Sequence, residues 1–124
     1  MKPSILIVED NQMMLAFLES YLSERFLVTC KTSGADALAW LEEGNRPDVI
    51  ISDIEMPDLN GLEMLASIKA STFLKRIPVI MLSGKDKSED RIRSLKMGAT
   101  DYLTKPFNPE ELEIRIDKVI TIAA

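Results

Sequence analysis

Short apolar runs alternate with segments of helical periodicity along the chain. The predicted strands are Ile5–Val8, Leu27–Thr32, Val49–Asp53, Pro78–Leu82 and a short fifth one at Tyr102–Leu103. Apolar runs of about four to eight residues bounded by polar residues are typical of strands that are buried on both faces of a sheet. Between these runs, apolar residues recur with the 3.6-residue spacing of helices that pack one face against a core.

Residues that cap a first helical turn precede most of the periodic segments. The predicted starts are Asn11, the capping-box-like Ser33–Asp36, Asn60 with Glu63, and Asn108–Glu111 with its proline and glutamates. A fourth helix is predicted from about Glu89 to Met97, ending at Gly98. The predicted inward-facing residues are Met14, Leu15, Leu18, Tyr21, Leu22, Leu38, Leu41, Leu62, Leu65, Ile68, Leu112, Ile116, Val119 and Ile120.

The alternation of strand and helix predicts the fold class. Five strand–helix repeats indicate an α/β protein whose parallel sheet is covered by helices on both faces. Right-handed crossovers favour the flavodoxin-like, doubly wound, five-stranded order 2-1-3-4-5 with five helices. We therefore expect residues 1–124 to form a single domain. In this order the first and third strands are neighbours at the switch point, where open α/β sheets bind their ligands.

Composition and charge exclude several classes of function. The net charge of −5 gives no electrostatic reason for this domain to bind nucleic acid or an anionic membrane. No apolar stretch reaches the roughly 18 residues of a membrane span, and the first one is too short for a signal peptide, so we expect a cytoplasmic location. The 124 residues include no histidine, which excludes histidine metal sites, histidine-activated nucleophiles and a phosphohistidine in this chain.

Polar side chains follow four of the five predicted strands. Glu9-Asp10 follows the first strand, Asp53 ends the third, Ser83 follows the fourth and Lys105 follows the fifth. An acidic pair or a lysine taken alone is more often a solvated surface residue, but compatible groups at four strand ends are a less frequent accident. Because the carboxyl ends of parallel strands meet at one edge, we expect these groups in one cleft.

The combination of charges in this cleft favours a metal ion and a phosphoryl group. Three carboxylates and one ammonium carry a formal charge of −2, and clustered carboxylates raise one another's pKa unless a cation intervenes. A hard divalent ion with oxygen ligands, such as Mg²⁺, removes that conflict and leaves positions for phosphate oxygens. Lys105 would be a second cation and Ser83 a neutral donor, with a carboxylate as the nucleophile.

Four motifs, taken together in this order and spacing, identify a family. They are Glu9-Asp10, Asp53-Ile54-Glu55-Met56-Pro57 with Gly61, Leu82-Ser83-Gly84, and Gly98-Ala99-Thr100-Asp101-Tyr102-Leu103-Thr104-Lys105-Pro106-Phe107. Over essentially its whole length the chain resembles a receiver domain of the bacterial two-component response regulators. The strand order 2-1-3-4-5 is also the order found in that family, so the predicted topology and the resemblance are not independent.

The resemblance implies a role for each residue of the cleft. Asp53 would accept a phosphoryl group from a phosphohistidine of a sensor histidine kinase or phosphotransfer protein. Asp10, Asp53 and the main-chain carbonyl of Glu55 would bind Mg²⁺ directly, and Glu9 would act through a water molecule. Lys105 would pair with the phosphoryl group, and its bond to Pro106 is expected to be cis.

The resemblance also implies a switch. Ser83 would move toward the phosphoryl oxygens, and the ring of Tyr102 would turn inward behind it. The responding surface would be the fourth helix, fifth strand and fifth helix. In addition, Glu55 and Lys85 each lie two residues beyond a site residue, and we expect them to pair across the mouth of the cleft as a gate against hydrolytic water.

The expected protein is thus a phosphoprotein of a two-component phosphorelay that catalyses its own phosphorylation and dephosphorylation and is not a turnover enzyme. One alternative is an Asp-dependent phosphatase, but such enzymes carry Asp-x-Asp after the first strand, whereas Asp53-Ile54-Glu55 follows the third. A flavodoxin is disfavoured because Glu9-Asp10 would repel the flavin phosphate. A phosphorylation-independent interaction module on the same fold is the other alternative. The cognate kinase, an output domain or downstream protein, and a homodimer are left open by the sequence.

Overall fold

The computed structural model describes residues 2–84 and 88–123. Its strands are β1 (Ser4–Val8), β2 (Leu27–Lys31), β3 (Val49–Asp53), β4 (Val79–Gly84) and β5 (Asp101–Lys105). Its helices are α1 (Gln12–Leu22), α2 (Gly34–Glu42), α3 (Gly61–Ala70), α4 (Ser88–Lys96) and α5 (Pro109–Ala123). The strands form one parallel sheet in the order β2-β1-β3-β4-β5, which confirms the predicted fold.

Two apolar cores lie on opposite faces of this sheet. Leu6 and Val8 of β1 pack into one core together with residues of α2 and α3. Ile5 and Ile7 point to the other face and pack into a second core with residues of α1 and α5. Because side chains alternate along a strand, an unbroken apolar run such as Ile5–Val8 supplies both cores at once.

The predicted helix starts are present as capping hydrogen bonds. The Asn11 side chain accepts the Met14 amide proton at 2.9 Å, and Ser33 Oγ accepts that of Asp36 at 3.1 Å. Asn60 and Glu63 form a reciprocal capping box at the start of α3. These bonds satisfy amide groups that a first helical turn leaves without an intrahelical partner.

The structure also differs from the predictions at several positions. β5 is longer than Tyr102–Leu103 and β4 reaches Gly84, because polar residues at their ends still pair across the two strands. Tyr21, predicted to face inward, is 37% exposed and donates a hydrogen bond to Glu113 on α5 at 3.3 Å. Within residues 2–84 and 88–123, none of the helices has the length and hydrophobicity of a transmembrane segment.

Candidate functional site

The carboxyl ends of the strands bring the predicted residues to one edge of the sheet. Val8 of β1 pairs with Ser52 of β3, so Glu9 and Asp53 follow at the same level. Asp53 itself pairs with Leu82, the residue before Ser83, and Lys105 pairs with Gly84. The register therefore places all four strand ends around one cleft at the β1/β3 switch point.

Three carboxylates meet in this cleft. Glu9, Asp10 and Asp53 each offer an oxygen atom, and these three oxygens lie within 4.8 Å of one another. Glu9 and Asp53 are buried, with 1% and 5% of their surface exposed, whereas Asp10 is exposed. An arrangement of carboxylate oxygens open to solvent on one side is suited to a hard divalent cation that keeps part of its water shell.

Lys105 bridges two of these carboxylates. Its Nζ donates a hydrogen bond to Glu9 Oε1 at 2.8 Å and lies 3.3 Å from Asp53 Oδ2. Burial alone would lower the pKa of Lys105, but the hydrogen bond to Glu9 and the charges of Asp53 and Glu9 outweigh burial and raise it. The ammonium is therefore held protonated within reach of the Asp53 carboxylate.

Glu9 is fixed at both of its carboxylate oxygens. Oε1 accepts from Lys105, and Oε2 accepts the backbone N–H of Asn11 at 3.1 Å. The sequence predicts Asn11 only as a helix cap, which it also is. Its amide contact with Glu9 depends on the geometry of the turn between β1 and α1, for which the sequence carries no specific signal.

The surroundings of the Asp53 carboxyl disfavour its charged form. Burial, followed by the nearby charge of Glu9, raises the pKa of Asp53 from 3.8 to about 6, while Lys105 opposes that rise. Asp10 contributes a smaller effect in the same direction as Glu9. A bound cation would remove the conflict, since positive charge near a carboxylate favours its ionised form.

The loop after β3 packs closely against the backbone of Asp53. A Cβ on Gly61 would meet the carbonyl oxygen of Asp53 and lie 2.8 Å from Ile54 Cα, so only glycine fits there. The Gly61 amide donates to the Ile54 carbonyl at 2.9 Å. Ser52 Oγ donates to the Asp53 carbonyl at 2.9 Å, which further fixes the backbone at this residue. The start of α3 therefore holds the end of β3 in place.

Ser83 and Tyr102, the predicted switch pair, lie on β4 and β5. Ser83 is fully buried, and its hydroxyl donates to the Gly84 carbonyl at 3.3 Å. The Tyr102 ring is buried in the core shared with α2 and α3. Within the described part of the chain, the buried Tyr102 hydroxyl has no hydrogen-bond partner. The ring is thus turned inward in this structure, and its movement between two positions stays a prediction.

The remaining predictions concern the rim of the cleft. The Lys105–Pro106 bond is cis, as predicted. A carboxylate oxygen of Glu55 lies 3.8 Å from the position that a Cβ on Gly84 would occupy, so this side chain reaches toward the end of β4. Lys85, the other half of the predicted gate, lies outside the described residues, and the gate stays a prediction.

Comparison with known proteins places this geometry in a family context. A family model described as response regulator receiver domain matches residues 5–117. Response regulator SaeR of Staphylococcus aureus is 37% identical over 118 residues, which are 94% of this chain and 50% of SaeR. The chain therefore spans about half the length of the curated relatives it matches.

Solved structures agree with this match over nearly the whole chain. The receiver domain of the Francisella response regulator 1452 has a TM-score of 0.91 and 34% identity, covering 99% of this chain and 100% of that one. The chemotaxis response regulator CheY4 of Vibrio cholerae has a TM-score of 0.88 and 31% identity, covering 96% of this chain and 99% of that one.

Proposed function

This chain belongs to the response regulator receiver domain family, and from that membership we propose that it is a phospho-accepting switch of a two-component phosphorelay. Asp53 is the proposed acceptor. The observation that carries the proposal is the position of the Lys105 ammonium, 2.8 Å from Glu9 and 3.3 Å from Asp53. This contact keeps a cation beside the carboxylate on which a phosphoryl group would add charge.

The proposed reaction transfers a phosphoryl group from a donor histidine to Asp53. An oxygen of Asp53 forms a bond to phosphorus as the bond from phosphorus to the donor nitrogen breaks, and the electron pair of that bond stays on the donor imidazole. These 124 residues contain no histidine, so a phosphohistidine donor lies outside them, in the proposed sensor histidine kinase or phosphotransfer protein. Lys105 pairs with a phosphoryl oxygen, and Ser83 donates a hydrogen bond to another. The product is an aspartyl phosphate, and the domain is a switch rather than a turnover enzyme.

A divalent cation fits the residues of the cleft. The donor set consists of hard oxygen atoms, and the pKa of Asp53 is raised by burial and then by the charge of Glu9, a conflict that a bound cation would reduce. Asp10, Asp53 and the main-chain carbonyl of Glu55 would hold Mg²⁺, with Glu9 linked through water. When bound, Mg²⁺ would neutralise charge on the carboxylates and on the incoming phosphoryl group.

Phosphorylation would be read out at the surface formed by α4, β5 and α5. Ser83 moves toward the phosphoryl oxygens, and Tyr102 packs into the space behind it. Both side chains are buried on adjacent strands, which supports their role as a coupled pair. The phosphoryl group adds roughly −1.5 to −2 charge at the cleft, and the Ser83–Tyr102 pair would carry this local change to the surface.

Phosphorylation of variants tests the proposal. Incubation with acetyl phosphate and Mg²⁺ should add one phosphoryl group to the parent and none to Asp53→Asn, as measured by intact-mass spectrometry. Asp58→Asn is a matched control, because Asp58 is an exposed acid of the same loop with a positive φ that asparagine also tolerates. This control should be labelled like the parent.

Three other outcomes would contradict the proposal in different ways. Equal labelling of the parent and Asp53→Asn would overturn the acceptor assignment. No labelling of the parent at any Mg²⁺ concentration would favour a phosphorylation-independent interaction module. Sustained release of product from p-nitrophenyl phosphate would favour an Asp-dependent phosphatase.

A further inference from the structure

Helix α4 is weakly anchored by its own side chains. Among its residues from Glu89 to Lys96, the buried side chain is the small Ser94, whereas Ile92 and Leu95 are 51% and 45% exposed. A helix that leaves about half of the surface of its large apolar residues exposed gains less free energy from packing than one that buries them. Other contacts must therefore hold α4 in its position.

The C-terminal end of α4 is closed by a well-formed cap. Gly98 has a φ of 106°, and its N–H donates to the Leu95 carbonyl at 3.1 Å. The next amide, from Ala99, donates to the Ser94 carbonyl at 2.9 Å. This pair of bonds is the Schellman arrangement, in which a left-handed residue ends the helix and satisfies its last carbonyls.

The stem of Lys69, from the neighbouring helix α3, covers this cap. A Cβ on Gly98 would lie 3.0 Å from Lys69 Cε, 3.2 Å from Cδ and 3.4 Å from Cγ. Three consecutive carbons of the lysine therefore occupy the space beside Gly98 that any other residue would fill. Lysine stems often cover apolar surface in this way while the amine reaches a polar group.

The amine of Lys69 reaches a third segment. Its Nζ donates to the carbonyl of Lys75, in the connection between α3 and β4, at 3.1 Å. Burial lowers the pKa of Lys69. Within the described residues this amine makes no ion pair with a carboxylate, so its hydrogen bond is directed to the backbone. One side chain thus joins α3, the α3–β4 connection and the end of α4.

We propose that Lys69 is a positioning residue that clamps the C-terminal end of α4 to α3, so that α4 moves about Gly98 when the domain switches. The N-terminal end of α4 follows shortly after β4 leaves the phosphorylation cleft, so that end is the one nearer to the change in charge. The switching part of this inference rests on the proposed function. The clamp itself is a property of the unphosphorylated protein and can be tested without phosphorylation.

Residue-resolved amide hydrogen exchange tests the clamp in the unphosphorylated protein. Lys69→Ala removes the stem, and the amides of Met97, Gly98 and Ala99 should then exchange about fivefold faster or more. Lys69→Met keeps a side chain of similar length without the amine and should retain most of the protection. Lys75→Ala is the matched control: it removes an exposed positive charge nearby but leaves the Lys75 carbonyl and the Gly98 contact in place.

The outcomes separate the clamp from a general charge effect. Unchanged exchange in Lys69→Ala would overturn the proposal, as would equal acceleration in Lys69→Ala and Lys75→Ala. Thermal melts of each variant check that it remains folded. If Lys69→Ala does not remain folded, the exchange of Lys69→Met is compared with that of the parent instead.

The proposed movement of α4 about Gly98 is tested with beryllofluoride and Mg²⁺, which mimic the phosphoryl group. In the parent, exchange should change at the N-terminal half of α4 and stay constant at residues 97–99, whereas in Lys69→Ala the change should extend to those residues. An equal change of exchange along the whole of α4 in the parent would overturn the proposed movement about Gly98. If Asp53 cannot be phosphorylated, the proposed function fails, but the result of the first experiment still decides the clamp.

Discussion

Glu9 and Asp10 are adjacent in the sequence but lie in very different surroundings. Glu9 is buried and accepts hydrogen bonds at both oxygens, from Lys105 and from the Asn11 amide. Asp10 is exposed at the open side of the cleft. Because each Glu9 oxygen already accepts a hydrogen bond, we expect Asp10 to bind a cation directly and Glu9 to orient Lys105.

Mg²⁺ binding distinguishes these two roles. Asp10→Asn should weaken Mg²⁺ binding about tenfold or more, because it removes a charged direct ligand, and Glu9→Gln should weaken binding less. Isothermal calorimetry measures both affinities without depending on a fluorescent reporter. Equal losses in the two variants would contradict the assigned roles, and Asp58→Asn serves as a control for the loss of one negative charge nearby.

At this scale, the sequence predicts the type of each site residue but not its contacts. Asp53, Ser83 and Lys105 could be predicted as candidates because each lies at or shortly after an apolar run, even though β4 and β5 extend further than those runs. The bond from the Asn11 amide to Glu9 could not be predicted, because it depends on the geometry of a turn and on one rotamer. The burial of the Tyr102 hydroxyl without a partner among the described residues could not be predicted either, because it depends on the position of the ring.

At the scale of elements, the loop from β3 to α3 is the part of the chain that holds Asp53, the proposed acceptor, in position. Gly61 lies at the start of α3, against the Asp53 carbonyl and the Ile54 backbone. The surrounding atoms are mostly backbone and cannot move aside as a flexible side chain would. Glycine is required here by close approach, whereas at Gly44 it is required by a φ of 106° in open space.

A pair of alanine substitutions separates these two effects. Gly61→Ala should lower the free energy of unfolding by about 1–3 kcal/mol through overpacking and should also slow labelling of Asp53 by acetyl phosphate. Gly44→Ala should cost about 1 kcal/mol through its backbone conformation alone and leave labelling unchanged. Urea unfolding and intact-mass time courses measure the two quantities. Normal labelling of a folded Gly61→Ala protein would contradict the positioning role of this loop.

Elements are predicted well where their signals are local. The Asn60–Glu63 capping box defines the start of α3 within one turn, and the structure contains both of its hydrogen bonds. The ends of β4 and β5 are predicted less well, because Thr104 and Lys105 are polar residues that join the sheet through their neighbours. A strand end of this kind is set by pairing between distant segments, which hydrophobic periodicity does not report.

At the scale of the whole molecule, nearly every local signal favours the fold, whereas the charges gathered in the cleft oppose it. The apolar strands fill two cores and the caps start the helices where expected. The cleft instead brings together three carboxylates, two of them buried. Functional sites often lower the stability of a protein, because their chemistry requires groups that are unfavourable in a folded structure. The sequence predicts this conflict from charge alone, whereas its strength depends on burial.

The stability of the metal-free protein should report this conflict. Asp53 has a pKa of about 6 in the folded protein and an ordinary value of 3.8, so its charged form destabilises the fold above both values. As the pH falls through 6 toward 3.8, the carboxyl is protonated and this destabilisation is lost. The difference in pKa corresponds to at most roughly 3 kcal/mol, and because water in the open cleft screens the charges we expect about 1–2 kcal/mol.

We therefore predict that Asp53→Asn is more stable than the parent in EDTA at about pH 7.5, by about 1–2 kcal/mol, and that the difference vanishes near pH 4. Asparagine has nearly the shape of the protonated acid, so packing is unchanged while the buried charge is removed.

Adding Mg²⁺ should stabilise the parent more than the variant, because binding to the folded state adds to its stability and the variant lacks one ligand. Urea unfolding at each pH, with and without Mg²⁺, measures these differences, and Asp58→Asn controls for the loss of an exposed charge. An Asp53→Asn protein that is less stable than the parent in EDTA near pH 7.5 would show that Lys105 more than compensates the charge of Asp53, contrary to the electrostatics of the cleft described above.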